Sequence, residues 1–147
     1  RAILYALLQC EEVERILLLN RTCSKAESLA EDLDQSGRVV VEGMNASSVA
    51  EVDLLINSTS VGMYPQEEAS PLADASVLHA DMLVADIVYK PLKTRLMMQA
   101  EAVGARAFNG LGMLAWQGAR SFELWTGSAP PVDAMMAAAL ERVNDGN

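Results

Sequence analysis

Cysteine, histidine and aromatic residues are scarce in this 147-residue chain, which has two cysteines, one histidine and 5% aromatic residues. Cys10 and Cys23 are too few for a disulfide framework, and we interpret them as free thiols in a reducing compartment. With His79 as the single histidine, the chain offers too few clustered ligands for structural zinc, and we expect no metal site.

Basic residues are also in the minority, with 11 Lys and Arg against 20 Asp and Glu and a formal net charge of −9. A surface this acidic repels phosphates and anionic lipids, so we expect neither a nucleic acid nor a membrane as partner, and a small molecule as ligand instead. The longest apolar runs, such as Ile16–Leu19 and Ala134–Leu140, fall far short of the roughly 20 residues that a membrane span needs. Without a pattern typical of a secretory signal, the cytoplasm is the expected compartment.

What the chain does contain is a regular alternation of short β-favouring runs and amphipathic helical stretches. This alternation indicates βαβ units and predicts an α/β fold with a doubly wound, mostly parallel sheet. Runs such as Ile16–Leu19 and Leu54–Ile56 lack polar alternation, so we expect strands that are buried on both faces. The predicted strands are Arg15–Leu19, Arg38–Val41, Asp53–Asn57, Met82–Val88 and Ala105–Phe108, and the helices between them include Ser24–Leu33 and Thr94–Val103.

The pattern changes after Asn109, where two helical segments follow each other with no strand between them. The first covers Gly110–Trp125, and the second opens with Pro130 and continues through Arg142, since Pro is favoured near a helix start. Consecutive helices do not extend a doubly wound sheet. We therefore predict a doubly wound domain over residues 1–109 and helices over residues 110–147 that leave it for another domain.

A tripeptide, Asn20-Arg21-Thr22, follows the first predicted strand and precedes the first predicted βα helix. We take this strand to be the second strand of a doubly wound fold. The adenosine ribose lies at the end of that strand, where an acidic residue would bind the 2′-hydroxyl of NAD. Here Arg21, with Lys25 one turn further on and the Thr22 hydroxyl nearby, favours a 2′-phosphate. The alternative is an ordinary helix entry in which Thr22 or Ser24 acts as the cap and both cations are solvated.

A second candidate segment, Ile56–Met63, carries a predicted strand into small hydroxyl residues and a glycine. Such a loop allows a ligand to approach the backbone closely, and the hydroxyls of Thr59 and Ser60 are then free to bond ribose or phosphate oxygens. The alternative is a plain strand exit, where these residue types are common. A serine hydrolase is disfavoured because Ser60 lies in no nucleophile-elbow pattern, and we place His79 in a surface loop.

The fourth predicted strand leads to Tyr89, and a proline then enforces a turn before Thr94, which we predict to cap the next helix. At the carboxyl end of a strand, Tyr89 can offer its phenol to a ligand. The alternative is a tyrosine that packs its ring and exposes its hydroxyl to water.

A last candidate segment opens the long helix at Gly110. Gly110 and Gly112 are expected to leave backbone exposed for contact with a flat ring. Met113 and Gln117 are four residues apart and so share a helical face, where a thioether and an amide suit a nicotinamide beside a hydroxylated substrate. The alternative places Met113 in the core and Gln117 at the surface.

Taken in this order, the segments resemble those of shikimate dehydrogenases and their quinate/shikimate relatives. The matching stretches are ILLLNRTCSKAESLAEDL, LLINSTSVGMYP, ADIVYKPLKTRLMMQAEAVGA and NGLGMLAWQGARSFELWTGSAPPVDAMMAAAL. The resemblance implies a Rossmann-like NADP-binding part of an oxidoreductase that reversibly reduces 3-dehydroshikimate to shikimate with NADPH. The chemistry of hydride transfer belongs to the cofactor.

The resemblance also implies roles for residues that match the family pattern. It implies that Tyr89 and Gln117 bind the substrate. Cofactor binding falls to Asn20, Arg21, Thr22, Lys25, Thr59, Ser60, Met63, Gly110 and Met113.

Two parts of the family pattern are expected before Arg1: the glycine-rich phosphate loop with its strand, and the domain that carries the catalytic Lys and Asp. Arg1 is not an initiator Met, and Ala2–Leu8 is predicted to be helical without a capping residue before it. We therefore expect a fragment whose sheet lacks its first strand. The isolated chain is expected to be marginally stable, aggregation-prone or rearranged, and to turn over no substrate alone.

Three alternatives stay open: a quinate/shikimate dehydrogenase with relaxed substrate choice, another Rossmann reductase such as a glutamyl-tRNA reductase-like protein, and a non-catalytic nucleotide-binding module. The second is disfavoured because it is not expected to carry the segment from Asn109 to Gly127.

Overall fold

The computed structural model describes residues 1–44 and 47–145. Within these ranges the chain forms five α-helices and five β-strands, and the two last helices follow one another. Two short 3₁₀ helices, Ser47–Glu51 and Ala75–Val77, were not expected from the sequence. In chain order the elements are α1 (Ala2–Leu8), β1 (Ile16–Leu19), α2 (Cys23–Leu33), β2 (Val39–Glu42), β3 (Leu54–Asn57), β4 (Leu83–Asp86), α3 (Arg95–Ala102), β5 (Arg106–Phe108), α4 (Leu111–Thr126) and α5 (Val132–Asp145).

Every strand pair is parallel, which confirms the predicted α/β class. Pairing forms one sheet of β1 and β2 and another of β3, β4 and β5 in that order. In the second sheet Asn57 is the register partner of Asp86, so the last residues of β3 and β4 are neighbours. The carboxyl ends of parallel strands lie at one edge of a sheet, and ligands of α/β folds bind at that edge.

The first compact unit covers residues 1–49 and contains α1, β1, α2 and β2. Its buried apolar residues include Leu4, Ile16, Ala26 and Val49. Arg38 joins α1 to the sheet, because its guanidinium donates hydrogen bonds to backbone carbonyls in and just after that helix, those of Leu8, Cys10 and Val13.

In the same unit Asp34 bridges α2 and β2. Its carboxylate accepts hydrogen bonds from the hydroxyl and the backbone N–H of Ser36 and from the backbone N–H groups of Gly37 and Val39. The Ser36 hydroxyl and the Val39 amide, in that order, lower the pKa of the Asp34 carboxyl from the ordinary 3.8 to about 2. The ionised carboxylate therefore stabilises the turn between helix and strand.

The second compact unit covers residues 50–147 and contains β3 to β5 with α3, α4 and α5. Its core is formed by β4 and α3, where Val84, Leu96 and Ala100 are fully buried. As predicted, Thr94 caps α3, and its hydroxyl accepts a hydrogen bond from the Met97 N–H at 3.3 Å. Helix α5 packs along α4, with Met135 lying against Gly118.

The prediction that the apolar strands are buried on both faces is wrong for β1 and β3. Three of the four β1 residues are only half-buried, and Leu54 at the start of β3 is 40% exposed. Each of these strands pairs on one side only within the described residues, so one backbone edge and the side chains beside it stay accessible.

Across the part of the chain that the structure describes, no helix combines the length and the apolar character that crossing a membrane requires.

Candidate functional site

The junction between β1 and α2 leaves a helix start without a side-chain cap. The Asn20 Oδ1 atom accepts a hydrogen bond from the Thr22 N–H at 2.9 Å, and this turn directs the chain into the helix. Thr22 occupies the N-cap position, yet its side chain accepts no capping hydrogen bond. The Ser24 hydroxyl makes no hydrogen bond within the described residues either. The alternative of an ordinary capped entry therefore lacks the contact that defines it.

Arg21 and Lys25 are the two cations of the first unit that remain available to a ligand. The other basic side chains of this unit are engaged: Arg1 binds Asp32 at 2.7 Å, Arg15 lies 3.8 Å from Glu42, and Arg38 binds backbone carbonyls. Within residues 1–44 and 47–145, neither Arg21 nor Lys25 forms an ion pair or hydrogen bond through its side chain. We call Arg21 and Lys25 the cationic pair.

The surroundings of the cationic pair suit an anion. Unsatisfied N–H groups and the helix dipole place partial positive charge at the start of α2, where anions bind readily. A guanidinium and an ammonium add full charges, and the Thr22 hydroxyl is free to donate. All four residues predicted here, Asn20, Arg21, Thr22 and Lys25, lie in the turn or in the first turn of α2, and Asn20 shapes the turn.

A cavity of about 310 Å³ lies in the second unit, where the loops after β3 and β4 meet α4. Six of the residues predicted to bind cofactor or substrate line it, and so do four others. The predicted ones are Thr59, Ser60, Met63, Tyr89, Met113 and Gln117, and the others are Ser58, Ile87, Val88 and Leu114.

Four polar groups in this cavity have no hydrogen-bond partner elsewhere in the described chain: the hydroxyls of Ser58, Ser60 and Tyr89 and the side-chain amide of Gln117. Met63 and Met113 add accessible thioethers, 39% and 49% exposed. Met113 is therefore not a core residue. Apolar walls with a few unpaired polar groups are typical of small-molecule sites.

The expectation that the Thr59 hydroxyl is free is wrong. Its proton is donated to Asn57 Oδ1 at 2.7 Å, and its oxygen accepts a hydrogen bond from the Val61 N–H at 3.1 Å. A hydroxyl has one proton to donate, so Thr59 can only accept from a ligand. The free donors of this loop are Ser58 and Ser60. The prediction missed Ser58 because a run of hydroxyl residues does not show which hydroxyls form hydrogen bonds within the loop and which remain available to a ligand.

Gly110 also differs from its predicted role. It is buried and absent from the cavity lining, and its N–H donates to the Val88 carbonyl at 2.9 Å. A Cβ atom at this position would lie 1.9 Å from the Ile87 carbonyl oxygen. Glycine therefore permits the start of α4 to approach the loop after β4, and it shapes the cavity rather than presenting exposed backbone to it.

The ten lining residues include no Asp, Glu, Lys, Arg or His. The cavity offers two thioethers for contact with a flat ring, and hydroxyl and amide groups for hydrogen bonds to a ligand. The phenol of Tyr89 is the one titratable group among these ten residues. Any other group that transfers a proton to or from a bound ligand would have to come from outside this lining.

Comparison with known proteins finds relatives of one enzyme family. The family model described as "Shikimate 5'-dehydrogenase C-terminal domain" matches residues 110–140, which cover α4 and much of α5. The shikimate dehydrogenase (NADP(+)) of Pyrococcus abyssi is 47% identical over 146 residues, which are 99% of this chain and 52% of that protein. Over nearly its whole length, the chain matches the C-terminal half of shikimate dehydrogenases. It spans about half the length of the curated relatives it matches.

Solved structures of the shikimate dehydrogenase family share the fold. Quinate dehydrogenase from Corynebacterium glutamicum, in complex with NAD, gives a TM-score of 0.86 at 30% identity, over 95% of this chain and 50% of that one. The shikimate 5-dehydrogenase of Thermus thermophilus, in complex with NADP(H) and shikimate, gives 0.75 at 37% identity, over 86% of this chain and 46% of that one. The family resemblance drawn from the sequence is confirmed.

Proposed function

We propose that this chain supplies the NADP-binding part of a shikimate dehydrogenase, an oxidoreductase that reversibly reduces 3-dehydroshikimate to shikimate. The observation that carries this proposal is the cationic pair, two positive side chains at the start of α2 for which the described part of the chain supplies neither an ion pair nor a hydrogen bond. A carboxylate at this point would suit the 2′-hydroxyl of NAD, whereas a guanidinium and an ammonium suit the 2′-phosphate of NADP.

In the first unit, Arg21 and Lys25 bind the 2′-phosphate through charge-assisted hydrogen bonds, and the free hydroxyl of Thr22 donates a further one. Asn20 holds the turn that brings them together. Because the whole chain carries a net charge of −9, attraction for this anion comes from these local cations and not from the overall field.

In the second unit, the cavity binds the nicotinamide end and the substrate. Met63 and Met113 enclose the ring, while Ser60 and the accepting lone pair of Thr59 bind polar groups of the cofactor. Tyr89 and Gln117 are free to hydrogen-bond the hydroxyl groups of a polyhydroxylated acid.

When bound, NADPH supplies the hydride for ketone reduction. The ten lining residues orient the reacting groups, but they include no Asp, Glu, His or Lys that could take up or release the proton. We therefore expect no shikimate oxidation by the 147-residue chain alone.

The activity is tested in a chimera in which this chain replaces the matching segment of the Pyrococcus abyssi enzyme. We expect the chimera to oxidise shikimate with NADP+, and we expect the Gln117→Ala variant to lose at least about tenfold in kcat/KM, because one or two substrate hydrogen bonds are lost. A chimera that is folded by circular dichroism, yet oxidises neither shikimate nor quinate while the parent enzyme is active, would refute the proposal.

A quinate dehydrogenase is the second candidate, because the C. glutamicum quinate dehydrogenase matches with a TM-score of 0.86. The same chimera distinguishes the two when it is assayed with each acid and each dinucleotide. Higher kcat/KM with quinate and NAD+ would favour this candidate. Cofactor binding without turnover of either acid would favour a non-catalytic nucleotide-binding module.

A further inference from the structure

Three polar side chains of the second unit, Asn57, Asp86 and Thr94, are almost completely buried, at 4%, 2% and 1% exposure. They form one connected set. Asp86 Oδ1 accepts from the side-chain amide of Asn57 at 2.9 Å, and Asp86 Oδ2 accepts from the Thr94 hydroxyl at 2.7 Å. The register of β3 and β4 places Asn57 and Asp86 side by side, so the sheet itself brings the carboxylate to the amide.

This buried set reaches both loops that line the cavity. Toward the loop after β3, the Asn57 amide donates to the Val61 carbonyl at 3.2 Å, and its oxygen accepts from the N–H and hydroxyl of Thr59. Toward the loop after β4, Asp86 Oδ1 accepts from the Val88 N–H at 3.0 Å. One carboxylate therefore connects the segments that contain Ser58 to Met63 and Ile87 to Tyr89.

Fold stability alone does not explain a carboxylate here. Removing a carboxylate from water costs several kcal/mol, and apolar replacements of buried charged groups are often neutral or stabilising. Asp86 forms no ion pair with any residue that the structure describes. What a carboxylate offers, and an apolar side chain does not, is several strong acceptor positions for donors that come from different loops.

We propose that Asp86 is a positioning residue, which fixes the two cavity loops relative to each other through Asn57 and the Val88 amide. This inference rests on the proposed function, because the cavity is the assigned binding site for the nicotinamide end of NADP. Asp86 touches no cavity space itself and acts through the loops it holds.

The test uses the 147-residue chain, its nearly isosteric Asp86→Asn variant and an Asp53→Asn control, which removes the same charge from an exposed position of the same unit. Hydrogen–deuterium exchange is measured at the amides of Thr59, Val61 and Val88. The reference amides, Leu83 and Ala105, are bonded to backbone carbonyls within the same unit. We expect about tenfold faster exchange at the three loop amides in Asp86→Asn, and no change at the reference amides.

Ligand binding supplies the second readout. We expect the Asp86→Asn chain to bind NADP+ about fivefold to tenfold more weakly, while its affinity for 2′,5′-ADP, which lacks the nicotinamide, stays within about twofold. Thr59→Val, at an exposed position, removes the hydroxyl that bonds Asn57 and the Val61 N–H. It should accelerate exchange at Val61 and leave Val88 unchanged.

Equal acceleration at loop and reference amides would show a merely structural role and overturn the proposal. Loop-selective exchange with unchanged NADP+ affinity would overturn it as well. If the unsubstituted chain binds neither NADP+ nor 2′,5′-ADP, the proposed function fails, and the exchange pattern alone then decides whether Asp86 holds the loops.

Discussion

Arg21 and Lys25 lie where positive charge is least favourable for a helix. The start of α2 carries the positive end of the helix dipole, and a cation in a first turn costs typically about 0.3–1 kcal/mol. The chain supplies no acidic partner that offsets this cost within its described residues. The arrangement sacrifices some stability of α2, and we propose that it provides a site for an anion, which is the trade-off expected at a functional site.

The sequence predicts which residue types lie at this junction, but it does not show whether their side chains form ion pairs. Asn20-Arg21-Thr22 after an apolar run is a local signal. Whether the cations are paired depends on residues far along the chain, as Arg1 with Asp32 and Arg38 with Leu8 show. Thr59 was misjudged for a different reason: its hydroxyl is engaged by Asn57, only two residues earlier, and the residue types alone do not show that the loop folds back in this way.

Asp34 supports a prediction about pH. Hydrogen bonds from Ser36 and Val39 lower its pKa to about 2 in the folded chain, against an ordinary 3.8. A lowered folded-state pKa contributes stability that is complete above the unfolded pKa and is lost as pH falls toward the folded one. The contribution is small because the group is exposed to solvent. Urea unfolding should show wild type more stable than Asp34→Asn above about pH 4, with the difference shrinking between about pH 4 and 2.

Carbon-13 NMR of the Asp34 carboxyl provides the direct check of that pKa. A midpoint near 3.8, or a stability difference that stays constant from about pH 5 to about pH 2.5, would show that these hydrogen bonds do not form in solution.

At the scale of elements, local sequence patterns predict where strands and helices lie. They do not predict how deeply a strand is buried. The five predicted strands correspond to β1 to β5, and the cap of α3 at Thr94 is where the sequence placed it. Burial of β1 and β3 was overestimated because an apolar run indicates a strand but does not tell how many neighbours it has.

The contact between the start of α4 and the loop after β4 gives the second prediction. At Gly110 a Cβ atom would lie 1.9 Å from the Ile87 carbonyl oxygen, a distance that requires the backbone to shift. We expect Gly110→Ala to lower the free energy of unfolding by about 1–3 kcal/mol, as forced overpacking does. Denaturant unfolding followed by circular dichroism measures this change.

Gly112 offers the matched control, because a Cβ built there meets no described atom within 4 Å apart from its chain neighbours and the nearby backbone of its own helix. In a helix, replacing this glycine by alanine should leave stability unchanged or raise it by up to about 1 kcal/mol. Equal effects at the two positions would contradict the close approach at Gly110.

At the scale of the whole molecule, fold class and family could be predicted from the sequence. The alternation of elements and the order of the four matching segments depend only on the order of residues along the chain. The parallel pairing and the last two helices are as predicted. The buried set of Asn57, Asp86 and Thr94 was not foreseen, because residues 29 and 8 positions apart meet only through the register of β3 and β4 and the return of α3.

The central claim, that the cationic pair selects a 2′-phosphate, is tested most directly by calorimetric titration of the chain with NADP+ and NAD+. Two charge-assisted hydrogen bonds of roughly 1.5–3 kcal/mol each predict that NADP+ binds at least about 100-fold more tightly. Arg21→Gln should remove about tenfold or more of that preference without changing NAD+ affinity, whereas Arg1→Gln, which only breaks the pair with Asp32, should change neither. Equal or tighter binding of NAD+ by the unsubstituted chain would contradict the assignment.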